Sequence, residues 1–152
     1  MAAIHKFHPY QGFDLGHDMI NNAQTLAVNG AIPCGYIVDF DNNGVITAAN
    51  DYGYFLMQEV LADRPNMLDF VLNDFQWVVQ AGNPVSVLIP KKGNRVLTEH
   101  VIEGLGGVPP VVGGLLSIVA GVYNTDAQGT AGKIKDIWQD SVGDTLYLVE
   151  IL

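Results

Sequence analysis

Residues 115–152, LLSIVAGVYNTDAQGTAGKIKDIWQDSVGDTLYLVEIL, carry the clearest secondary-structure signal of the chain. Three runs rich in aliphatic, β-branched and aromatic residues, LLSIVAGV, AGKIKDIW and TLYLVEIL, are separated by the segments NTDAQGT and DSVGD. Runs of the first kind are typical of strands, and segments of the second kind are typical of turns. The last quarter of the chain therefore predicts three strands joined by short connections.

The same pattern occurs upstream around two further turns. Residues 33–49 place two apolar runs on either side of DNNG at residues 41–44, which predicts a hairpin. In residues 85–102, VSVLIP and RVLTEHVI flank KKGN, which predicts a second hairpin. Together the runs amount to about seven short strands, so the expected fold is mainly β, an antiparallel barrel or sandwich.

A helical insertion is expected in the middle of the chain. Apolar residues recur at helical spacing after Asp51, which is a suitable N-cap, and predict a short helix over about residues 52–62. Pro65 suits the first turn of a second helix, which would carry the helical segment to about residue 79. At residues 75–80 the sequence FQWVVQ fits a helix and a strand equally well.

Residues 1–30 show neither a period of two nor one of 3.6, and this predicts an irregular N-terminal arm in front of a β-rich domain at residues 31–152. Phe7, Tyr10 and Phe13 give that arm the aromatic side chains that are common at protein interfaces. Deletion of residues 1–20 is therefore expected to leave the domain folded and to weaken attachment to a partner.

The charge balance argues against a nucleic-acid partner. The chain has seven Lys and Arg against sixteen Asp and Glu, a net charge of −9, whereas phosphates are bound by clustered cations. Five of the seven cations, Lys91, Lys92, Arg95, Lys133 and Lys135, lie in the C-terminal half of the chain, which is compatible with a local basic rim on an acidic body.

Composition also predicts self-association. Hydrophobic residues make up 49% of the chain and charged residues 15%, against a charged share of about 25% in an average soluble domain. A small domain has too little interior to hide so much apolar surface, and burial between subunits resolves this. A homo-oligomer is therefore expected.

Neither a membrane partner nor a disulfide is expected. The chain starts without an apolar leader, and no stretch approaches the roughly 18 uninterrupted apolar residues of a spanning helix. Cys34 is the only cysteine, so it cannot form an internal disulfide, and folding in a cytosol is expected.

No catalytic, cofactor or metal site is predicted. DFDNNG at residues 39–44 matches the first half of a calcium loop, but Asn50 stands where the bidentate carboxylate belongs. Cys34 and His100 lack a third group that would orient them for catalysis. The histidines near the N-terminus match no zinc spacing; they are His5, His8 and His17.

An alternative interpretation is a small ligand-binding β-barrel or an enzyme whose pocket is assembled from strand ends. The residues that would line it are aromatic or histidine side chains. They are Tyr36, Trp77, His100, Trp138 and Tyr147.

The order of segments resembles the head decoration, or capsid cement, proteins of tailed bacteriophages. The resemblance lies in an apolar arm, an acidic strand-rich body, NPVSVLIPKKGNRVLTEHV at residues 83–101, a Gly/Pro-rich loop and the closing strand TLYLVEIL.

This resemblance implies a small β-barrel or β-tulip protein, usually a trimer, on the exterior of the virion capsid after synthesis in the host cytoplasm. Its partner would be the major capsid protein, whose subunit contacts it would reinforce. The residues expected to contact a partner are Phe7, Tyr10, Phe13, Lys91, Lys92 and Arg95. A tail or head-completion subunit of the virion is a further alternative.

Overall fold

The computed structural model describes residues 7–13, 19–21, 27–28, 32–33, 35–40, 45–51, 53–59, 78–79, 85–104, 106–139 and 143–152. These residues are mainly strand, as the sequence predicts. The strands are β1 (Phe7–Gln11), β2 (Met19–Asn21), β3 (Ala27–Val28), β4 (Ile32–Pro33), β5 (Ile37–Phe40), β6 (Val45–Ala48), β7 (Tyr54–Glu59), β8 (Val78–Val79), β9 (Val85–Leu88), β10 (Arg95–Thr98), β11 (Val101–Ile102), β12 (Leu115–Val119), β13 (Val122–Thr125), β14 (Gly132–Gln139) and β15 (Thr145–Ile151).

Within these ranges the strands form two large sheets. The seven-stranded sheet has the order β1-β10-β15-β14-β12-β13-β11, and all its pairs are antiparallel except β11 with β13. The six-stranded sheet has the order β2-β9-β7-β5-β6-β3, and β4 pairs separately with β8. Both strand orders are open, so the described part resembles a sandwich and is not a closed barrel.

A single apolar cluster joins the two large sheets. The six-stranded sheet contributes Ile37, Phe55 and Leu88, which share one face because they are paired across β5, β7 and β9. The seven-stranded sheet contributes alternate residues of its long strands, including Ile134 and Val149. We call the side of the seven-stranded sheet that faces this cluster its inner face, and the opposite side its outer face.

The phenol of Tyr123 lies inside this cluster. Tyr123 is almost completely buried, and burial raises the pKa of its hydroxyl above the ordinary value of 10. The side chain therefore stays protonated at neutral pH and acts as a core residue.

The prediction of an irregular arm is wrong for residues 7–11. These residues form β1, which pairs with β10 from Phe7↔Thr98 to Gln11↔Arg95 around a bulge. The bulge and Pro9 interrupt the alternation of apolar and polar residues that predicts a strand. Pro9 is tolerated because β1 is an edge strand, where a missing backbone N–H leaves no hydrogen bond of the sheet unmade. A deletion of residues 1–20 would remove a sheet strand, contrary to our expectation. Met19–Asn21 and Ala27–Val28 are also strands.

The predicted helix over about residues 52–62 is also wrong where the structure describes it. Residues 54–59 form β7, which pairs with β5 and β9. Phe55 faces the core cluster, and Leu56 is buried on the other face of the sheet. Burial on both faces erases the period of two, so the apolar spacing resembled a helix. Of the rest of the segment to residue 79, only Val78–Val79 is described, and it is a strand.

One of the two predicted hairpins is confirmed. β5 and β6 pair antiparallel from Val38↔Ala48 to Phe40↔Ile46, although their turn at residues 41–44 lies outside the described residues. The second prediction is wrong, because β9 belongs to the six-stranded sheet and β10 to the seven-stranded sheet. The turn at residues 91–94 therefore carries the chain from one sheet to the other. The three strands predicted from residues 115–152 are confirmed as β12, β14 and β15.

Candidate functional site

The three aromatic residues predicted to contact a partner do not form one surface. Phe7 is completely buried, and its ring lies 4.9 Å from that of Phe55. Phe13 is half-buried and packs against the same core. Only Tyr10 is well exposed, at 52%. The prediction that Phe7 contacts a partner is therefore wrong, since its burial already holds β1 to the core.

Tyr10 packs with Trp138 on the outer face of the seven-stranded sheet. Its ring meets that of Trp138 edge-on, with the centroids 5.5 Å apart. The indole Nε1 donates a hydrogen bond of 2.6 Å to Asp136 Oδ2, which fixes the tilt of the indole. β10 and β15 lie between the strands of the two rings, and Leu148 on β15 is buried on this face. The two rings therefore shield apolar side chains of the sheet from water.

Lys91 and Lys92 occupy a well-fixed turn. Both are exposed. Lys91 N donates to Asn94 Oδ1 over 2.9 Å, and Asn94 N donates to Lys91 O over 3.0 Å. Gly93 has a φ of +87°, which favours glycine at the third position of such a turn. Gly93 N also donates to Ile151 O over 2.8 Å, so the turn is tied to β15.

Arg95 belongs to a separate ionic cluster on the outer face. Its Nη2 lies 3.7 Å from Glu150 Oε2, and Lys135 Nζ lies 3.4 Å from the same oxygen. Partly exposed pairs of this kind typically contribute less than about 1 kcal/mol each to stability. Arg95 and Lys135 therefore share the carboxylate of Glu150, while Lys91 and Lys92 lie in the turn that precedes β10.

Those residues of the alternative pocket that the structure describes lie on different faces of the sheets. The buried ring of His100 lies edge-on to Tyr36, with centroids 4.8 Å apart. Trp138 lies on the outer face of the seven-stranded sheet, and Tyr147 packs against the core on the inner face. Trp77 lies outside the described residues, as does Cys34.

Among the described residues, exposed aliphatic side chains are concentrated in one region that sequence reasoning did not single out. This region contains the end of β11, the connection between β11 and β12, and the end of β12. The side chains and their exposed fractions are Ile102 (50%), Val108 (38%), Val111 (50%), Val112 (60%) and Val119 (50%). Valines in an uncharged Gly/Pro-rich connection are the sequence signal that could have indicated this region.

Ile102, Val108 and Val119 line a groove of about 770 Å³, which we call the apolar groove. Its floor is the outer face of β11, β13 and β12, because Ser117 pairs with Asn124 and Asn124 with Ile102. Its walls include Glu103, Gly104, Gly106, Val108 and residues 125–128, which bring the carboxylates of Glu103 and Asp126 to the lining.

One side chain holds the walls of the apolar groove together. Thr125 is buried; its Oγ1 accepts a hydrogen bond of 2.9 Å from Gly104 N and donates one of 2.5 Å to Val108 O. Gly104 packs so close to this strand that a Cβ on it would lie 2.1 Å from Thr125 O. Because only glycine fits there, the wall has a defined position.

The loop valines, Val111 and Val112, lie next to the apolar groove and are also held in place. Gly114 N donates to Val111 O over 2.9 Å, and Gly113 N donates to Ile134 O over 2.7 Å. These bonds join the end of the connection to β14. The loop valines are therefore exposed on a backbone that the hydrogen bonds of Gly113 and Gly114 hold in place.

Within the described residues, no group of three or more His, Cys, Asp and Glu side chains is placed to hold a metal ion. Asp39 is exposed on β5, and the remainder of the calcium-like sequence at residues 41–44 is not described. Over the same described ranges, no helix has the length and apolar character needed to cross a membrane.

Comparisons with protein-family models, with curated proteins and with solved structures found no match.

Proposed function

We propose that this chain is a capsid decoration protein of a tailed bacteriophage. In this role it binds the major capsid protein on the outside of the head, as a homo-oligomer and most simply a trimer, and it stabilises contacts between capsid subunits. The resemblance in segment order supports the virion assignment. The exposed aliphatic region supports a role in binding other proteins, since exposed apolar clusters are characteristic of interaction sites.

The observation that carries the proposal is the pair of loop valines. They are 50% and 60% exposed, and residues 104–114 contain no charged side chain. A backbone held by hydrogen bonds on both sides loses little conformational entropy when it binds. We therefore assign the loop valines to the contact with the capsid, in place of the arm that the sequence predicted.

Oligomer symmetry strengthens a weak contact of this kind. Complete burial of one valine contributes about 1.5 kcal/mol or more, which by itself gives low affinity. A trimer presents three copies of the loop valines, and the second and third contacts form at high effective concentration. No catalytic step is needed for this function.

Co-sedimentation with purified heads of the phage that encodes the chain tests the proposal. Val112→Asp should lower the affinity by about tenfold or more, because it removes one apolar contact per subunit and adds a buried charge. Thr47→Asp adds the same charge at an exposed position of β6 and should bind like the unchanged protein.

Equal pelleting of both variants would contradict the assignment of the loop valines. Failure of the unchanged protein to bind heads, together with binding to purified tails, would instead identify a tail subunit. The mass of each variant in solution should be measured in parallel, so that a loss of head binding is not confused with a loss of the oligomer.

A further inference from the structure

We propose that the apolar groove binds the lysine turn of a second copy of this chain, in a head-to-tail contact. We define the lysine turn as residues 89–94, which include Ile89, Pro90, Lys91 and Lys92. The inference rests on the proposed function only for the number of subunits, which the resemblance gives as three.

Charge complementarity favours this occupant. The apolar groove carries the carboxylates of Glu103 and Asp126, and its described lining residues include no cation. In a chain with sixteen acidic and seven basic residues, most surfaces of a second copy would be repelled by this groove. The lysine turn is one surface with two adjacent, exposed cations, so its approach is electrostatically favourable.

Both surfaces also carry apolar side chains. The lysine turn connects the two sheets and is held by the bonds of Asn94 and Gly93, so it binds without first being ordered. Ile89 and Pro90 are half-buried beside the lysines. They offer apolar surface to Ile102 and Val119, each of which is 50% exposed in the groove.

A subunit cannot fill its own apolar groove in this way. β15 and β14 lie between β10, which follows the lysine turn, and β12, which forms part of the groove floor. Three strand spacings of about 4.8 Å separate the two features by roughly 14 Å. The two complementary surfaces therefore have to meet between different molecules.

The same features argue against a symmetric dimer through the groove. In an isologous contact the apolar grooves of two subunits would face each other, so Glu103 and Asp126 of one subunit would approach the same residues of the other. Like charges at such a contact are destabilising. A contact between two different surfaces avoids this, and it produces a closed ring when the rotation between subunits closes.

Charge reversal tests the contact without heads. The mass in solution is measured by light scattering after size exclusion, at micromolar concentration, for the unchanged chain, Lys92→Glu, Glu103→Lys and the double variant. All substituted positions are exposed, so folding should be preserved, and circular dichroism checks this. Gln139→Glu, at an exposed site at the other end of β14, is the control.

The unchanged chain and the control should have the mass of a trimer. Each single reversal should weaken association by at least about tenfold, because it places like charges at every contact. The double variant should recover the trimer. A monomeric unchanged chain, single variants that stay trimeric, or a double variant that stays dissociated would each overturn the inference.

The outcome is independent of the head-binding test. A trimer that responds to charge reversal as expected but does not bind heads would retain the inference and refute the proposed function. If the chain binds heads but its mass is unchanged by the charge reversals, the proposed function is retained and the inference is refuted.

Discussion

Phe7→Ala should lower the free energy of unfolding by about 3–5 kcal/mol, the usual cost of removing a fully buried phenylalanine. Phe7 has no exposed surface. Its ring packs 4.9 Å from Phe55, and its Cβ lies only 2.5 Å from the place where a Cβ on Gly35 would be. Neighbours packed this tightly leave a cavity when the ring is removed.

Tyr10→Ala on the same strand is the matched control. Tyr10 lies on the outer face and is half exposed, and its edge-on pairing with Trp138 contributes about 0.5–1.5 kcal/mol. Urea denaturation of both variants measures the difference. If Phe7→Ala cost no more than Tyr10→Ala, β1 would be a dispensable arm, as the sequence first indicated, and its place in the core would be refuted.

Gly104→Ala should disrupt the wall of the apolar groove. The new Cβ would lie 2.1 Å from Thr125 O, a backbone atom that cannot rotate away. Gly104 and Val108 would have to move away from β13, and the two hydrogen bonds of Thr125 Oγ1 would be lost. The loss of hydrogen bonds at a buried group lowers the free energy of unfolding by about 1–3 kcal/mol, and overpacking lowers it by a similar amount. The variant should therefore be less stable by about 2–4 kcal/mol.

Gly106→Ala provides the control for this change within the same loop. A Cβ on Gly106 meets only Val108, at the ordinary distance of 3.8 Å. Its stability should change by less than about 1 kcal/mol. Equal stability of both variants, measured by thermal denaturation, would show that Gly104 and Val108 are not anchored to Thr125.

The sequence predicts the strands of the seven-stranded sheet well where one face is buried and the other is exposed. β12, β14 and β15 alternate in this way, and they were predicted from residues 115–152. β7 was missed because Phe55 and Leu56 are buried on opposite faces. β1 was missed because a bulge and Pro9 interrupt its pattern. In both cases tertiary packing, which a local pattern does not contain, determines the structure.

The candidate surfaces were harder to predict than the strands. Lys91 and Lys92 lie exposed in one turn, whereas Arg95, which the sequence analysis grouped with them as a partner contact, pairs with Glu150. The apolar groove depends on β11 pairing in parallel with β13, a contact between segments separated by about twenty residues. Without that pairing the sequence gives no reason to place Ile102 near Val119.

The thermal stability of phage heads tests the central claim most directly. Heads that lack the chain are heated with and without the purified protein, and release of DNA is followed with a dye that cannot enter intact heads. We expect bound protein to raise the temperature of release, and Val112→Asp to give a smaller increase at the same concentration. Protein that binds the heads at full occupancy and leaves the release temperature unchanged would contradict a role in stabilising the capsid.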